Sequence, residues 1–440
     1  MQAAWNYQIE DAAHSPLLVF YEVTRACDLV CKHCRACAQP QSHPNEMDTA
    51  QSKNFLKQLT TFPKKPIVVL TGGDPLKRDD IFELIEYATQ DCKLDVSFVP
   101  SATPLLDDDV LKQLKAAGIS RLGLSIDGAD IETHDEQRGI PGTFTHAINI
   151  LKRAHELGIE TQVNTTITKA NVNQIDAMGE LMATLNIALW SVFFLVPVGR
   201  GLNDLRIEPH EYKKVFKQIN QQSAKHKFAV KTTEAPFFRR YMIQNLHQQK
   251  ENGEAARNGH ALKEKTNGHA NGRAKPSLRS GSKAPLGIND GKGIMFVSHI
   301  GDVYPSGFLP ANCGNVKFET AVDIYQKHET FLKLRRPELL KGKCGYCGFR
   351  DVCGGSRARA KAVTGDMFAP EPDCEFCPPA WLDHLENQRT AAHSAPDMHT
   401  TVDKIVNLDL ICDDACTCQQ CAPDHVELSA PTQPTAPPVV

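Results

Sequence analysis

Three cysteines near the start of the chain have a spacing that suits metal chemistry. Cys27, Cys31 and Cys34 are separated by three residues and then by two, and they directly follow an apolar run, Leu17 to Val23, that predicts a buried strand. Closely spaced thiolates are soft ligands for zinc, copper(I) or an iron–sulfur cluster. A four-iron cluster held by three cysteines leaves one iron without a protein ligand, and that open position can bind and activate a small molecule.

A zinc knuckle is the main alternative for these cysteines. It would need a fourth cysteine or histidine at short spacing, and Cys37 offers one. Cys31, Cys34 and Cys37 also match the start of a ferredoxin run, but Gln41 stands where that run requires its next cysteine. We therefore favour a three-cysteine cluster and expect Cys37 to be a free thiol.

The Cys-x3-Cys-x2-Cys spacing after a first strand resembles the radical S-adenosylmethionine (SAM) enzymes. The resemblance implies that Cys27, Cys31 and Cys34 hold a [4Fe–4S] cluster, that SAM binds the open iron, and that one electron cleaves SAM to a 5′-deoxyadenosyl radical. Clusters of this type reach roughly −700 mV, so an electron donor such as flavodoxin or ferredoxin is an implied partner. His33 stands where many members have an aromatic residue, and its imidazole can still stack on adenine.

The composition limits the class of protein. The 440 residues include 49 basic and 52 acidic side chains, a balance that gives no sign of a nucleic-acid-binding surface. No apolar run reaches the roughly 18 residues of a membrane span. The N-terminus lacks the apolar core of a signal peptide, so the fifteen cysteines are better explained as metal ligands than as disulfides of a secreted chain. We expect a cytoplasmic protein.

Short apolar strands alternate with helical stretches from Leu17 to about Arg200. The strands are expected at Leu17–Val23, Pro66–Leu70, Leu94–Val99, Ser120–Ile126, Glu160–Ile167 and Leu189–Val196. Parallel strands need crossover helices, so the pattern predicts an α/β fold with a parallel sheet. Six units are too few for a full eight-stranded barrel, and a partial, open (β/α)6 barrel fits, which is also the fold that the resemblance implies. Residues 208–249 are expected to be helical, with a loop at residues 234–236.

In such barrels the functional loops lie at the carboxyl ends of the strands. The Gly-Gly-Asp-Pro stretch after the second strand could be a tight turn alone, but it also resembles the family's Gly-Gly-Glu-Pro motif for the SAM amino group. Arg138 is expected to pair with the SAM carboxylate, with a solvated arginine at a helix end as the alternative. The residues expected to contact SAM are His33, Gly72, Gly73, Asp74, Ser125 and Arg138. Asn164 is expected to contact either SAM or the substrate.

A second cysteine constellation comes late in the chain, at Cys344, Cys347, Cys353 and Cys374. Four thiolates at these spacings suit either a closed zinc site or a cubane cluster. Beside a radical SAM core they resemble the auxiliary-cluster domain called SPASM, which implies a second [4Fe–4S] cluster. The nearby basic residues Arg357, Arg359 and Lys361 either bind substrate carboxylates or form a basic helix face.

Composition shifts predict the domain boundaries. We expect an N-terminal extension (1–14), the barrel with its following helices (15–249), a disordered insertion (250–286), a small SPASM-like domain (287–386) and a polar, disordered tail (387–440). The insertion has too few apolar side chains to offset the entropy of ordering it. The tail contains four cysteines, Cys412, Cys416, Cys418 and Cys421. Whether they bind a third metal stays open.

Flanking residues narrow the resemblance. The stretches 24–27, 304–307 and 353–360 resemble the branch that contains alternative-pathway haem synthases and the haem d1-forming proteins. This implies a tetrapyrrole substrate that loses or remodels a propionate. The alternative is a ribosomally made peptide, because most SPASM relatives modify peptides or proteins. A non-catalytic metal-binding scaffold is the remote alternative, and zinc without iron would indicate it.

Overall fold

The structure is a computed structural model that describes residues 7–251 and 285–393. Most of the predicted insertion and most of the predicted tail, including Cys412, Cys416, Cys418 and Cys421, therefore lie outside the described residues. The last described helix runs to His393, beyond the boundary predicted at residue 387. None of the helices in the described ranges combines the length and the apolar character that a membrane crossing requires.

One sheet organises the described part of the chain. Its strands are β1 (Leu18–Thr24), β2 (Ile67–Gly72), β3 (Asp95–Phe98), β4 (Arg121–Ser125), β5 (Thr161–Ile167), β6 (Leu189–Phe194), β7 (Ala229–Thr233), β8 (Ile294–Val297) and β9 (Val303–Tyr304). They lie in the order β7-β6-β5-β4-β3-β2-β1-β8-β9. From β1 to β7 every neighbouring pair is parallel, β8 is parallel to β1, and β9 is antiparallel to β8. The α/β fold with a parallel barrel sheet is confirmed.

Helices connect the parallel strands and continue into the C-terminal part. They are α1 (Thr49–Gln58), α2 (Ile81–Glu86), α3 (Asp108–Ala116), α4 (Ile131–Arg138), α5 (Thr143–Glu156), α6 (Ile175–Thr184), α7 (Glu211–Lys225), α8 (Phe237–Glu251), α9 (Ala321–Lys327), α10 (Glu329–Leu334), α11 (Gly342–Gly345), α12 (Arg357–Thr364) and α13 (Pro379–His393). Aspartates begin two of the crossover helices: Asp48 accepts from the Gln51 N–H and Asp107 accepts from the Val110 N–H. Such caps satisfy N–H groups that a helix start leaves without partners.

The two faces of each barrel strand have different surroundings. Val19, Tyr21 and Val23 of β1 are buried in the core, where the Tyr21 ring meets Phe55 of α1 at a centroid distance of 5.1 Å. Successive side chains of a strand point to opposite faces, so the alternate residues face the barrel interior. In β5, residues 161–167 alternate strictly between buried and half-buried. The half-buried side chains are polar, so the interior is lined by groups that can bind a ligand.

The structure adds a strand where helix was expected. Residues 229–233 form β7 between α7 and α8, so the prediction of uninterrupted helix before residue 234 was wrong. Apolar Phe228 and Val230 are buried in the core, and β7 pairs with β6 in the register Ser191↔Lys231. That pairing is made with a strand about forty residues earlier, and strand formation depends strongly on such tertiary contacts.

After the insertion, β8 and β9 form an antiparallel hairpin. It extends the barrel sheet, because Leu18 of β1 pairs with Ile294 of β8. The first residues of the predicted SPASM-like segment, 287–386, therefore belong to the same sheet as the barrel.

Candidate active site at the cysteine loop

The cysteine loop, defined as residues 25–39, follows β1 and is fixed by main-chain hydrogen bonds. The Cys27 N–H donates to the Gln39 carbonyl at 2.7 Å, and the Lys32 N–H donates to the Gln137 carbonyl at 3.0 Å. Cys27 and Cys31 are buried and Cys34 is half-buried. The three predicted ligands thus lie on one ordered loop at the carboxyl end of the sheet.

Each of the three sulfur atoms has a hydrogen-bond neighbour. Ser101 Oγ lies 3.4 Å from Cys27 Sγ, the Ala38 N–H donates to Cys34 Sγ at 3.5 Å, and Arg138 Nη1 donates to Cys31 Sγ at 3.7 Å. Burial raises the pKa of the Cys27 and Cys31 thiols, whereas a bound metal deprotonates its thiol ligands. Hydrogen bonds to the sulfurs are one of the factors that set the potential of an iron–sulfur cluster.

The surroundings of the loop fit a bound group. Within residues 7–251 and 285–393, no three His, Cys, Asp or Glu side chains form a site for a single metal ion. A cubane cluster differs from a single ion because it takes each thiolate on a different iron. Buried polar atoms without a hydrogen-bond partner in the described structure lie beside the loop, on His33 Nδ1, Arg138 Nε and Arg200 Nη2. Unpaired buried polar atoms are costly, so these atoms indicate room for a polar ligand at the cysteine loop.

Asp127 connects two of the residues predicted to contact SAM. Its carboxylate forms an ion pair with Arg138 and lies 3.4 Å from His33 Nε2. The Asp127 N–H donates to His134 Nδ1 at 3.0 Å. Arg138 is therefore a buried, paired arginine, and the alternative of a solvated side chain is wrong. Contact of His33 or Arg138 with SAM stays a prediction.

The charges in this group shift each other's pKa. Burial alone would raise the pKa of Asp127, but Arg138, followed by His33 and His134, lowers it below its ordinary value. Burial lowers the pKa of His33, and Asp127 opposes that shift. The Asp127 carboxylate is thus ionised beside a neutral imidazole and a cationic guanidinium, which keeps the Arg138 side chain directed at the cysteine loop.

The Gly72-Gly73-Asp74 stretch packs directly against the start of the cysteine loop. A Cβ on Gly72 would lie 2.2 Å from the Thr24 carbonyl oxygen, and one on Gly73 would lie 2.4 Å from the Ala26 carbonyl oxygen. The Gly73 and Asp74 N–H groups donate to these same two carbonyls, at 2.8 Å and 2.6 Å. Both positions require glycine because the main chain of the cysteine loop occupies the space of a side chain.

The Asp74 carboxylate is fully buried and already has partners. Its Oδ2 accepts from Thr103 Oγ1 at 2.7 Å, and its Oδ1 accepts from the Leu76 and Ser101 N–H groups. Asp74 therefore positions the loop after β3, which carries the Ser101 hydroxyl beside Cys27. Contact with SAM, predicted for Gly72, Gly73 and Asp74, would be additional to these structural interactions. It stays a prediction.

Ser125 and Asn164 face the barrel interior from neighbouring strands. They are paired in register on β4 and β5, and both are half-buried. Asn164 Oδ1 accepts from Gln162 Nε2 at 2.7 Å. The structure brings these two predicted SAM contacts together at the same level of the sheet.

Arg200 and Ser101 were not predicted as site residues. The signal that could have found them is the position of their loops, because both follow barrel strands and such loops converge at one end of the barrel. Arg200 Nε donates to the Cys31 carbonyl at 3.0 Å. Neither residue type indicates this role by itself.

The four cysteines predicted to hold an auxiliary cluster line one pocket. The pocket also contains the cationic side chains of Arg240 and Lys343. Arg240 Nη2 lies 3.9 Å from Cys374 Sγ, and Lys343 donates to the Cys374 carbonyl. Burial raises the pKa of all four thiols, Cys344, Cys347, Cys353 and Cys374. The arrangement places four sulfur atoms around one cavity with positive charge beside it.

The basic residues of α12 do not form an exposed substrate-binding face. Arg359 is fully buried and forms ion pairs with Glu371 at 2.9 Å and Asp373 at 3.0 Å. Arg357 is buried as well, and its Nη1 donates to the carbonyls of residues 367 and 369. A solvated basic face is wrong for both arginines, because both are buried. Glu371 and Asp373 neutralise Arg359, so binding of a substrate carboxylate is wrong for that residue as well. Arg357 Nη2 is buried without a hydrogen-bond partner, so carboxylate binding by Arg357 stays a prediction.

Comparison with known proteins identifies the family. The family model described as Radical SAM superfamily matches residues 21–182. An AdoMet-dependent heme synthase of Methanosarcina barkeri is 37% identical over 365 residues, which cover 83% of this chain and 98% of that protein. A mycofactocin maturase (MftC) of Mycolicibacterium smegmatis is 26% identical over 83% of this chain and 84% of that protein.

A solved structure supports the same assignment at the level of the fold. The crystal structure of Streptococcus suis SuiB bound to S-adenosylmethionine has a TM-score of 0.61 at 16% identity, and the match covers 82% of this chain and 78% of that chain. The chain therefore belongs to the radical SAM superfamily, within the family that contains the AdoMet-dependent heme synthases, and it is an enzyme whose cofactors are SAM and a [4Fe–4S] cluster.

Proposed function

We propose that the protein decarboxylates propionate side chains of an iron porphyrin, as a haem synthase does. The observation that carries this proposal is the 37% identity to an AdoMet-dependent heme synthase over 98% of that protein's length. A match over nearly the whole relative includes the C-terminal part as well as the barrel, so it concerns the complete catalytic unit.

The proposed reaction balances as a two-electron oxidation of the substrate. Bound SAM and its cluster would supply a 5′-deoxyadenosyl radical, and one hydrogen atom would then be removed from the propionate carbon next to the ring. The carboxylate then leaves as carbon dioxide, one electron leaves the substrate, and a vinyl group remains. An external donor such as flavodoxin or ferredoxin supplies the electron that starts each cleavage of SAM.

The chain's own residues have distinct proposed tasks. Cys27, Cys31 and Cys34 hold the catalytic cluster, and Ser125 and Asn164 bind SAM on the interior face of the sheet. Gly72, Gly73 and Asp74, with His33 and Arg138, complete the SAM site next to the cysteine loop. Support comes from three sets of contacts: Gly72, Gly73 and Asp74 pack against the start of this loop, Arg138 donates to Cys31, and Ser125 pairs in register with Asn164.

A second [4Fe–4S] cluster is proposed at Cys344, Cys347, Cys353 and Cys374. Their shared pocket and the cations beside it support this assignment. Positive charge near a cluster stabilises its reduced form. This cluster is therefore the proposed acceptor of the electron that the substrate releases.

The deciding experiment is an anaerobic reaction of the reconstituted protein with dithionite, SAM and iron-coproporphyrin, followed by mass spectrometry. We expect deoxyadenosine together with porphyrin that has lost carbon dioxide. Deoxyadenosine with unchanged porphyrin would contradict the proposed substrate. In that case a ribosomally made peptide becomes the leading substrate class, which the similarity to the mycofactocin maturase favours.

Metal analysis tests the two cluster assignments separately. Wild-type protein should contain about eight irons, and Cys31→Ala and Cys353→Ala should each retain about four, since each removes a ligand of one cubane. Cys31→Ala should also abolish SAM cleavage. Cys92→Ala is the matched control, because Cys92 is another buried, free cysteine outside both sites. Zinc in place of iron and sulfide would contradict the enzyme assignment itself.

A further inference from the structure

A row of polar side chains crosses the barrel sheet from the proposed SAM contacts. Ser125 of β4 pairs in register with Asn164 of β5, Asn164 pairs with Ser191 of β6, and Ser191 pairs with Lys231 of β7. Adjacent strands are about 4.8 Å apart, so the Lys231 Cα lies roughly 10 Å across the sheet from the Asn164 Cα. The row therefore continues beyond the SAM site for two strands.

The last two members of the row face the barrel interior. Trp190 and Val192, on either side of Ser191, are in the hydrophobic core outside the barrel, and so is Val230 next to Lys231. Because side chains alternate along a strand, Ser191 and Lys231 point to the opposite face. This is the face on which Ser125 and Asn164 lie.

Neither of these interior groups has a partner in the described structure. Ser191 Oγ is buried without a hydrogen-bond partner. No carboxylate in residues 7–251 or 285–393 forms an ion pair with Lys231. Burial, and to a smaller extent the charge of Arg121, lowers the pKa of the Lys231 ammonium to about 8, so it is still mostly protonated at neutral pH. Lys231 is half-buried, and a partly desolvated cation without a counter-ion favours an anionic ligand.

Two other cations of the same sheet region, Arg121 and Arg35, are each paired with a carboxylate. Arg121 donates to Glu160 at 2.7 Å, and Arg35 donates to Glu22 at 2.6 Å while its guanidinium stacks on Phe296. Lys231 differs from both, since its charge is available to a ligand that enters the barrel.

We propose that Lys231, assisted by the Ser191 hydroxyl, binds one carboxylate of the substrate. The proposal deepens the proposed function and rests on it, because an iron porphyrin with propionate side chains supplies such a carboxylate. An ion pair at β7 would hold one propionate two strands from the SAM site. It would thereby fix the orientation of the macrocycle and determine which propionate is presented to the radical. Lys231 is in this sense a specificity-determining residue that binds substrate without reacting.

The test compares the binding of iron-coproporphyrin with that of its methyl ester. Binding to reconstituted protein is measured by Soret absorbance under anaerobic conditions without reductant. In Lys231→Met we expect the acid to bind about 10-fold to 100-fold more weakly, as for loss of a charged hydrogen bond, and the ester to bind as in wild type. Lys231→Arg should recover most of the affinity for the acid. Lys227→Met is the matched control, because Lys227 is exposed just before β7.

The outcomes separate the two proposals. In one outcome, wild-type protein binds and decarboxylates the porphyrin and Lys231→Met retains full affinity for the acid. This result overturns the assignment of Lys231 and leaves the proposed function intact. If Lys231→Met binds the acid and the ester more weakly by the same factor, the assignment of Lys231 is also overturned, since the defect would then concern shape rather than charge. Wild-type protein that neither binds nor converts the porphyrin overturns the proposed function, and the assignment of Lys231 as a propionate site with it.

Discussion

Arg200 donates a hydrogen bond from its Nε to the main-chain carbonyl of Cys31 at 3.0 Å, and its own N–H donates to the Cys34 carbonyl at 2.9 Å. The loop after β6 thus holds the cysteine loop after β1 through main-chain oxygens. This arrangement orders the loop without using the thiols, so the geometry of the ligands is set by contacts that do not compete with iron.

Gly199→Ala should disrupt this contact. A Cβ at residue 199 would lie 2.3 Å from the Arg35 carbonyl oxygen and 2.4 Å from that of Cys34, and φ is +62°. We expect a loss of about 2–5 kcal/mol in the free energy of unfolding, from backbone strain and overpacking together. The displaced loop should also fail to hold its cluster. Chemical unfolding and iron content after anaerobic reconstitution measure the two effects.

Gly142→Ala is the control for backbone strain alone. Gly142 has φ of +86°, and a Cβ there would meet nothing within 4 Å. This variant should lose only about 1 kcal/mol and should keep its full iron content. If both variants lost iron equally, the close approach of Gly199 to the cysteine loop would not be the cause.

Local sequence was sufficient to predict the elements around the cysteine loop. Chemical or steric reasons that act over a few residues explain two features: the spacing of Cys27, Cys31 and Cys34, and the two glycines at the end of β2. The alternation of strands and helices up to residue 200 likewise fixed the parallel sheet, because parallel strands require crossovers. These features could be read before the tertiary contacts were known.

The features that were missed depend on partners distant in sequence. β7 forms because residues 229–233 pair with β6, and the charge of Arg359 is neutralised by acidic residues that follow the third auxiliary cysteine. The spacing of basic residues on α12 shows neither the burial nor the ion pairs. Asp127 similarly determines the direction of the Arg138 side chain, whereas the sequence alone left a solvated arginine possible.

Arg240→Gln should lower the reduction potential of the proposed auxiliary cluster. Arg240 Nη2 lies 3.9 Å from Cys374 Sγ, and its guanidinium is held over the Phe376 ring at 4.4 Å from the centroid. Removal of this positive charge favours the oxidised form, by on the order of tens of millivolts. An anaerobic redox titration followed by electron paramagnetic resonance measures the shift. Arg336→Gln, at an exposed arginine paired with Glu338, should leave the potential unchanged, and an unchanged potential in Arg240→Gln would contradict the assignment.

Arg359→Met should destabilise the protein strongly. The substitution removes the cation that pairs with both Glu371 and Asp373, and both carboxylates are almost fully buried. Asp373 keeps a second arginine, Arg206, as a partner. Loss of one partner from a buried ionic group typically costs about 3–5 kcal/mol. Denaturant unfolding measures the change. In the surface control Arg153→Met, whose half-buried arginine pairs with Asp108 and Glu156, the loss should be less than about 1 kcal/mol. A loss of similar size in both variants would show that the buried network contributes little.

His134 should make the folded state sensitive to mild acid. Its Nδ1 accepts the Asp127 N–H at 3.0 Å, so the fold requires the neutral imidazole. Burial, followed by the charge of Arg138, lowers the pKa of His134 from 6.5 to about 4. Between these two values the unfolded chain binds a proton that the folded chain does not, so stability falls as the pH decreases through this window. For this group alone the loss is about 2 kcal/mol between pH 7 and pH 5.

His134→Gln isolates this contribution, because the amide oxygen can still accept the Asp127 N–H but does not titrate. Urea unfolding of apoprotein at pH 7 and pH 5 should show a smaller decrease in unfolding free energy for His134→Gln than for the wild type, by about 2 kcal/mol. Burial lowers the pKa of His33 in the same direction, so part of the acid sensitivity should remain in the variant. If the unfolding free energy decreased equally in the two proteins, His134 would be protonated to the same extent in the folded and unfolded chains. Its hydrogen bond to Asp127 would then not be what stabilises this part of the site.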